Sequence, residues 1–168
     1  MKATELRELQ APLKERFRNE PDSAKETLRA HGIINVDAIT VYIDRPHSGP
    51  VMAGLHPLAG GDGTWVCSSE LLLDALVGCA GVTFAAVCSA MEIPIRSAEL
   101  QAQGDLDFRG TMGVDRSVPV GFLEIRLKFT LDSEESDEKL AKAVELAERY
   151  CVVAQSLKSV SANFVRKQ

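Results

Sequence analysis

The residues best suited to chemistry in this chain are its four cysteines, Cys67, Cys79, Cys88 and Cys151. A thiolate is a strong nucleophile, and two thiols that meet can cycle between dithiol and disulfide. Their positions sort them. Cys79 and Cys88 share one long apolar stretch, yet a separation of nine residues at about 100° per residue turns them to opposite sides of a helix. Cys151 lies on the apolar stripe of a second helical pattern, and Cys67 precedes the first stretch with no evident partner. A buried free cysteine commonly serves as a small hydrophobe. Cys88 is read that way and Cys67 as incidental, whereas Cys79 and Cys151 occupy the faces best suited to meet.

Other chemistries lack their residues. The three histidines, His31, His47 and His56, lie in the first third of the chain. No C-x2-C or H-x3-H pair supplies two metal ligands from one turn, so no metal site is expected. No G-x-S-x-G elbow is present, and a Cys/His hydrolase would have to bring His56 to Cys79. The glycine-rich loop over residues 54–64 contains no Lys and lacks P-loop spacing. No cofactor is expected. A net charge of −5, a pI near 5.3 and 5% aromatic residues argue against nucleic acid or an anionic membrane as partner. The uncharged run from Ala75 to Met91, 17 residues, is at the short limit for a bilayer and rich in weakly inserting small residues. With charged rather than apolar residues at the start, a cytoplasmic protein with reduced thiols is expected.

The elements that must position the cysteines follow from periodicity. Ser68 or Ser69 can cap a helix over SSELLLDALVGCAGVTFAAVCSAM, with Glu70 in its first turn and Pro94 closing the segment. A helix apolar on every side is expected to be buried on every side. Ala75, Cys79, Ala86 and Ala90, with Gly78 and Gly81 alongside, give it a seam where another backbone could approach. Ser136 caps a second helix whose stripe is Leu140, Val144, Ala147, Cys151 and Ala154. Alternation predicts a strand over Ile33–Asp44, an antiparallel pair over Ile95–Arg109 and Leu123–Leu131, and a last strand over Val160–Arg166. Residues 1–32 read as two short helices, with Pro12 a kink or restart among Leu6, Leu9, Leu13 and Phe17 and with Asp22 capping a turn through Arg29 that Gly32 stops, an appendage to a domain of residues 33–168.

ELLLDALVGCAGVTF, then GDLDFRGTMGVDRSVPVGF, then AERYCVVAQSL together resemble the OsmC/Ohr family of thiol-dependent hydroperoxide reductases. The likeness covers roughly Ile33 to Lys167, and the LHP…GGDG loop and helical N-terminus are similar to a longer OsmC-like branch. The resemblance implies an α+β fold, two long core helices wrapped by antiparallel sheets in an intertwined homodimer, with sites built from both subunits. It implies Cys79 as the peroxidatic and Cys151 as the resolving cysteine of a stress-response enzyme. The substrate would be an organic hydroperoxide and the recycling partner a dithiol reductant.

Two departures from the family pattern stand out. Family peroxidases carry Asn-Pro-Glu before the first cysteine helix, the Glu holding an Arg beside the thiolate; here Ser68-Ser69-Glu70 stands one position nearer the cysteine. The arginine has two candidates. Arg109 ends a predicted strand on its polar parity, and Arg45, at the end of the first predicted strand, is favoured, with Glu70 to orient it. The proline that usually follows the second cysteine is Val152. Two other readings of the same fold are an apolar-ligand-binding dimer with inert cysteines and a thiol-based redox sensor.

Overall fold

The uncharged run forms the longest element of the chain. In the computed structural model, which describes residues 2–157 and 160–167, it becomes helix α2, Ser68–Ala90. Before it come α1 (Ala3–Asn19), β1 (His31–Asn35), β2 (Thr40–Asp44), β3 (Val51–Gly54) and β4 (Val66–Cys67). After it come β5 (Ser97–Asp105), α3 (Phe108–Thr111), β6 (Glu124–Asp132), α4 (Asp137–Tyr150), α5 (Val152–Ser156) and β7 (Val160–Arg166). The chain is α+β and divides into two compact units. One comprises Met1–Thr27, Leu76–Ala102 and Arg126–Gln168, the other Leu28–Ala75 and Gln103–Ile125.

The first unit holds the sheet β5-β6-β7, with β6 in the middle. The alternation read from the sequence is the burial pattern observed: Leu127, Phe129 and Leu131 are buried on one side of β6. From α4, Leu140, Ala143, Val144 and Ala147 are buried in the same unit, one face of an amphipathic helix. Phe84 of α2 meets Phe129 with ring centroids 4.9 Å apart. Each such apolar side chain contributes about 1.5–3 kcal/mol on burial. Ser136 caps α4 as expected, its hydroxyl accepting from the Lys139 N–H at 3.3 Å. Arg166 fixes β7 to that cap, donating to the Ser133 carbonyl at 2.6 Å and to Asp137 at 2.7 Å. Arg96 joins the start of β5 to the end of β6 through Asp132 and Glu134.

The second unit holds the sheet β1-β2-β3-β4, antiparallel except for the parallel pair β3–β4. The single strand expected over Ile33–Asp44 is two strands joined by a turn over residues 36–39. Ile39 closes that turn at φ 51°. A β-branched residue in the left-handed region is costly, but Asn35 braces the turn, its side chain accepting the Ala38 N–H at 3.0 Å. The strand expected to reach Arg109 stops at Asp105, and Asp107 caps the short helix α3 instead. Gly110 in α3 is buried where any side chain would collide with the carbonyls of Pro119 and Val118.

Two further expectations need correction. Residues 3–19 form one helix running through Pro12, followed by a single 3-10 turn over Pro21–Ala24. The carbonyl that Pro12 leaves without its N–H partner lies on an exposed helix, where water can satisfy it. The second correction concerns α2. Its buried residues are Leu76, Ala80, Phe84 and Cys88, a single i,i+4 stripe. Val82 is 73% exposed, and a Cβ added at Gly78 would meet nothing within 4 Å. By itself the chain covers one side of its most apolar helix.

Candidate functional site

The site is built at the place where α4 stops. Cys151 has extended backbone angles, φ −77° and ψ 109°, and is both the C-cap of α4 and the N-cap of α5. Its N–H donates to the Glu148 carbonyl at 3.3 Å. Its carbonyl accepts from Gln155 N–H at 2.9 Å, and its sulfur accepts from Ala154 N–H at 3.4 Å. The sequence stripe runs straight through this break, because Leu140, Val144, Ala147, Cys151 and Ala154 are all buried on either side of it.

A helix start leaves its first N–H groups without intrahelical acceptors. In α5 the third of them goes to the Cys151 sulfur, and the first two, from Val152 and Val153, act on the sulfur of Cys79. Cys79 is half-buried on α2, next to the buried stripe. Burial pushes its thiol up. The Val153 and Val152 N–H groups, the Cys151 thiol and the Thr83 hydroxyl pull it down further, leaving it below the ordinary thiol value.

Cys151 is displaced the other way. Its sulfur is fully buried, which disfavours a charge; the Ala154 and Val153 N–H groups favour one; and the bond to Cys79 and the charge there hold the proton in place. The pair therefore has a direction. Cys79 is the thiol held below its ordinary value and Cys151 the one held above it, and neither is in a disulfide.

The remaining sequence candidates lie elsewhere or serve local structure. Cys88 is buried, and desolvation pushes its thiol up to about 11, as befits a core residue. Glu70 accepts the Cys67 N–H at 2.9 Å, so its carboxylate closes the first turn of α2. Arg45 Nε donates to the Gly49 carbonyl at 3.2 Å within its own turn. Glu70 and Arg45 make no contact with each other among the described residues. Arg109 pairs with Asp107 at 2.5 Å on an exposed surface. His56 Nδ1 accepts the Leu58 N–H at 3.1 Å, and its ring stacks on Phe108 at 4.7 Å.

Sequence reasoning missed Thr83 and the two N–H donors. The only signal for the donors was Val152 standing where a proline, which has no N–H, is usual. Among the described residues no group of three or more His, Cys, Asp or Glu side chains could hold a metal ion. The second unit contains a cavity of about 450 Å³ lined in part by Leu72, Leu106, Phe108 and Phe122, with Cys67 and His56 at its wall.

A sequence model of the family described as OsmC-like protein matches residues 61–163. An OsmC-like protein from Mycoplasma pneumoniae superposes with a TM-score of 0.70 at 15% identity, covering 86% of this chain and 99% of that one. The organic hydroperoxide resistance protein OhrB of Bacillus subtilis superposes at 0.61 with 18% identity, covering 83% and 98%. A protein from Legionella pneumophila, described as an organic hydroperoxide resistance protein OsmC and predicted redox protein, gives 0.64 at 11% identity over 86% and 100%. No curated protein matches the chain.

Proposed function

The chain belongs to the OsmC-like family, and from that premise we propose that it is a thiol-dependent peroxidase reducing organic hydroperoxides through Cys79 and Cys151. One observation carries the reading: the two thiols act on each other and are polarised in opposite directions. A core pair with no chemistry to do would have both thiols raised by burial, as Cys88 is.

The reaction uses this polarity in order. The Cys79 thiolate attacks one oxygen of the O–O bond, sulfur becoming a sulfenic acid while the released alkoxide takes a proton and leaves as an alcohol. The Cys151 thiol then condenses with Cys79–SOH, the S–S bond forms and water leaves. A dithiol reductant returns the pair to two thiols by exchange, itself becoming a disulfide. Donors already aimed at the sulfur need no reorganisation when the charge develops.

A second copy of the chain belongs to the same proposal. Val82 at 73%, Ile33 at 61%, Ile34 at 70% and Val36 at 79% exposure are apolar surface on α2 and around the edge strand β1, the kind that a partner chain covers. The carboxylate–arginine pair of Glu70 and Arg45 is likewise a proposal for the assembled dimer, since within one chain each is engaged locally.

The test is thiol counting followed by turnover. One equivalent of cumene hydroperoxide should remove two thiols per chain and yield one equivalent of alcohol, with multiple turnovers once dithiothreitol is supplied. Cys79→Ser should abolish both steps, and Cys151→Ser should allow one oxidation and stop at the sulfenic acid. Thiol loss without turnover would favour a redox sensor. No thiol loss would favour the apolar-ligand reading, which the 450 Å³ cavity supports.

A further inference from the structure

Thr83 lies four residues beyond Cys79 on α2, so the two side chains share one helix face. Its hydroxyl donates to the Cys79 carbonyl at 2.7 Å. We propose that Thr83 is a catalytic residue of the Cys79 site, its hydroxyl turning from that carbonyl onto the Cys79 sulfur when the thiol ionises and holding the charge there. This rests on the peroxidase reading above and adds to it the residue that takes over part of the work of a cation.

The placement makes little structural sense otherwise. A threonine inside a helix that bonds back to the carbonyl four residues earlier gains the helix nothing and slightly destabilises it. In a stretch otherwise made of Ala, Gly, Val, Leu, Phe and Cys, valine would fill the same volume without a hydroxyl. The move asked of Thr83 is small, a rotation about the Cβ–Oγ1 bond that redirects one hydrogen while the oxygen stays in place. The carbonyl it leaves still accepts its ordinary helical bond.

The surroundings leave room for such a donor. Within this unit the groups acting on the Cys79 sulfur are the Val152 and Val153 N–H groups from α5, the Cys151 thiol at the α4–α5 junction, and Thr83 from α2 itself. Cys151 is the only titratable one among them, and its thiol is held above the ordinary value. The thiolate therefore leans on neutral donors. When Cys79 attacks a hydroperoxide, its sulfur lone pair forms the S–O bond, the O–O bond breaks, and the alkoxide takes a proton to become an alcohol. Thr83 gives up no proton in this step; it raises the fraction of Cys79 present as the attacking thiolate.

The test is the rate of Cys79 alkylation by iodoacetamide as a function of pH, read site by site by mass spectrometry, in wild type, Thr83→Val and Thr83→Ser. Thr83→Val keeps the shape and removes the donor. It should raise the apparent thiol pKa by about one unit, lowering the thiolate fraction about tenfold at pH values below the wild-type midpoint. Thr83→Ser, which restores the hydroxyl, should return the profile to within about twofold of wild type, about 0.3 unit on the same scale. An unchanged midpoint in Thr83→Val overturns the proposal, and so does a Thr83→Ser profile matching that of Thr83→Val, which would mark a packing role. Because this readout is a thiol midpoint, a wild-type protein that fails to consume hydroperoxide would remove the peroxidase reading while the assignment of the donor stood or fell on its own.

Discussion

Replacing Val152 by proline removes one hydrogen atom from the site and almost nothing else. Val152 is the first residue of α5, its side chain is 72% exposed, and its N–H has no acceptor within the helix. Proline suits that first position, and the extended angles of Cys151, φ −77° and ψ 109°, are those a residue before proline adopts. The fold should therefore survive while the Cys79 sulfur loses a donor. A hydrogen bond to a charged group contributes about 1.5–3 kcal/mol, and one pKa unit corresponds to about 1.36 kcal/mol. With Val153, Cys151 and Thr83 still in place, the lower figure applies and the thiol should rise by about one unit. Below its midpoint the variant then has about tenfold less thiolate, and greater basicity returns about threefold in intrinsic nucleophilicity. Alkylation of Cys79 should be roughly threefold slower at pH values below the wild-type midpoint and roughly threefold faster on the alkaline plateau. The two profiles should cross. Val152→Ala, which keeps the N–H, should follow wild type. If the proline variant folds, by circular dichroism, and its midpoint moves by less than about 0.3 unit against that one-unit expectation, the reasoning about backbone donors is wrong.

Three further outcomes are expected. Val82→Lys should convert the protein from dimer to monomer in sedimentation at micromolar concentration, since an ammonium would be forced into the α2 surface that the proposed partner chain covers; a dimer that persists would place the interface elsewhere. Gly110→Ala should lower the melting temperature, because the new methyl group meets the fixed carbonyls of Pro119 and Val118. About 1–3 kcal/mol of overpacking at about 2–4 °C per kcal/mol should be plain in a thermal melt. Cys88, its thiol pushed up to about 11 by burial, should resist iodoacetamide at pH 8 under conditions that modify Cys79. Modification of both at equal rates would contradict the burial argument.

The parts of the fold visible in the sequence were those where one face is dry and the other wet. The alternation of Ile125, Leu127, Phe129 and Leu131, the stripe from Leu140 to Ala147 and the Ser136 cap all carry that contrast, and all stand in the structure. The extent of α2 was equally visible, but its covering was not. A helix of uniform polarity does not say which side its own chain will cover. The turn at residues 36–39 was signalled by Asn35, whose side chain accepts the Ala38 N–H at 3.0 Å, and by Asp37, but the apolar alternation on either side of it reads as one continuous strand. The break at Cys151 was hidden for a different reason. Its apolar stripe keeps helical spacing across the interruption, so periodicity sees one helix where hydrogen bonding makes two. The cysteine pair could be named from residue types and family likeness. The donors that set its polarity could not, because two of them are backbone N–H groups whose aim depends on where α5 begins.

The double duty of Cys151 ties electrochemistry to helix formation. Its sulfur is the acceptor that starts α5 and, in the proposed cycle, also the atom that would bond to Cys79 on oxidation. Whatever free energy the turn gains from holding a thiol at that position is withdrawn when the thiol becomes half of a disulfide. If the pair cycles as proposed, its midpoint potential would contain the stability difference of a five-residue helix between the two covalent states. For a two-electron couple, about 1.4 kcal/mol in favour of the dithiol form makes the pair about 30 mV more oxidising. Substitutions in α5 that never touch either sulfur, at Gln155 or Ser156 for instance, thus become adjustments of driving force, and the helix start works as a voltage setting for the couple.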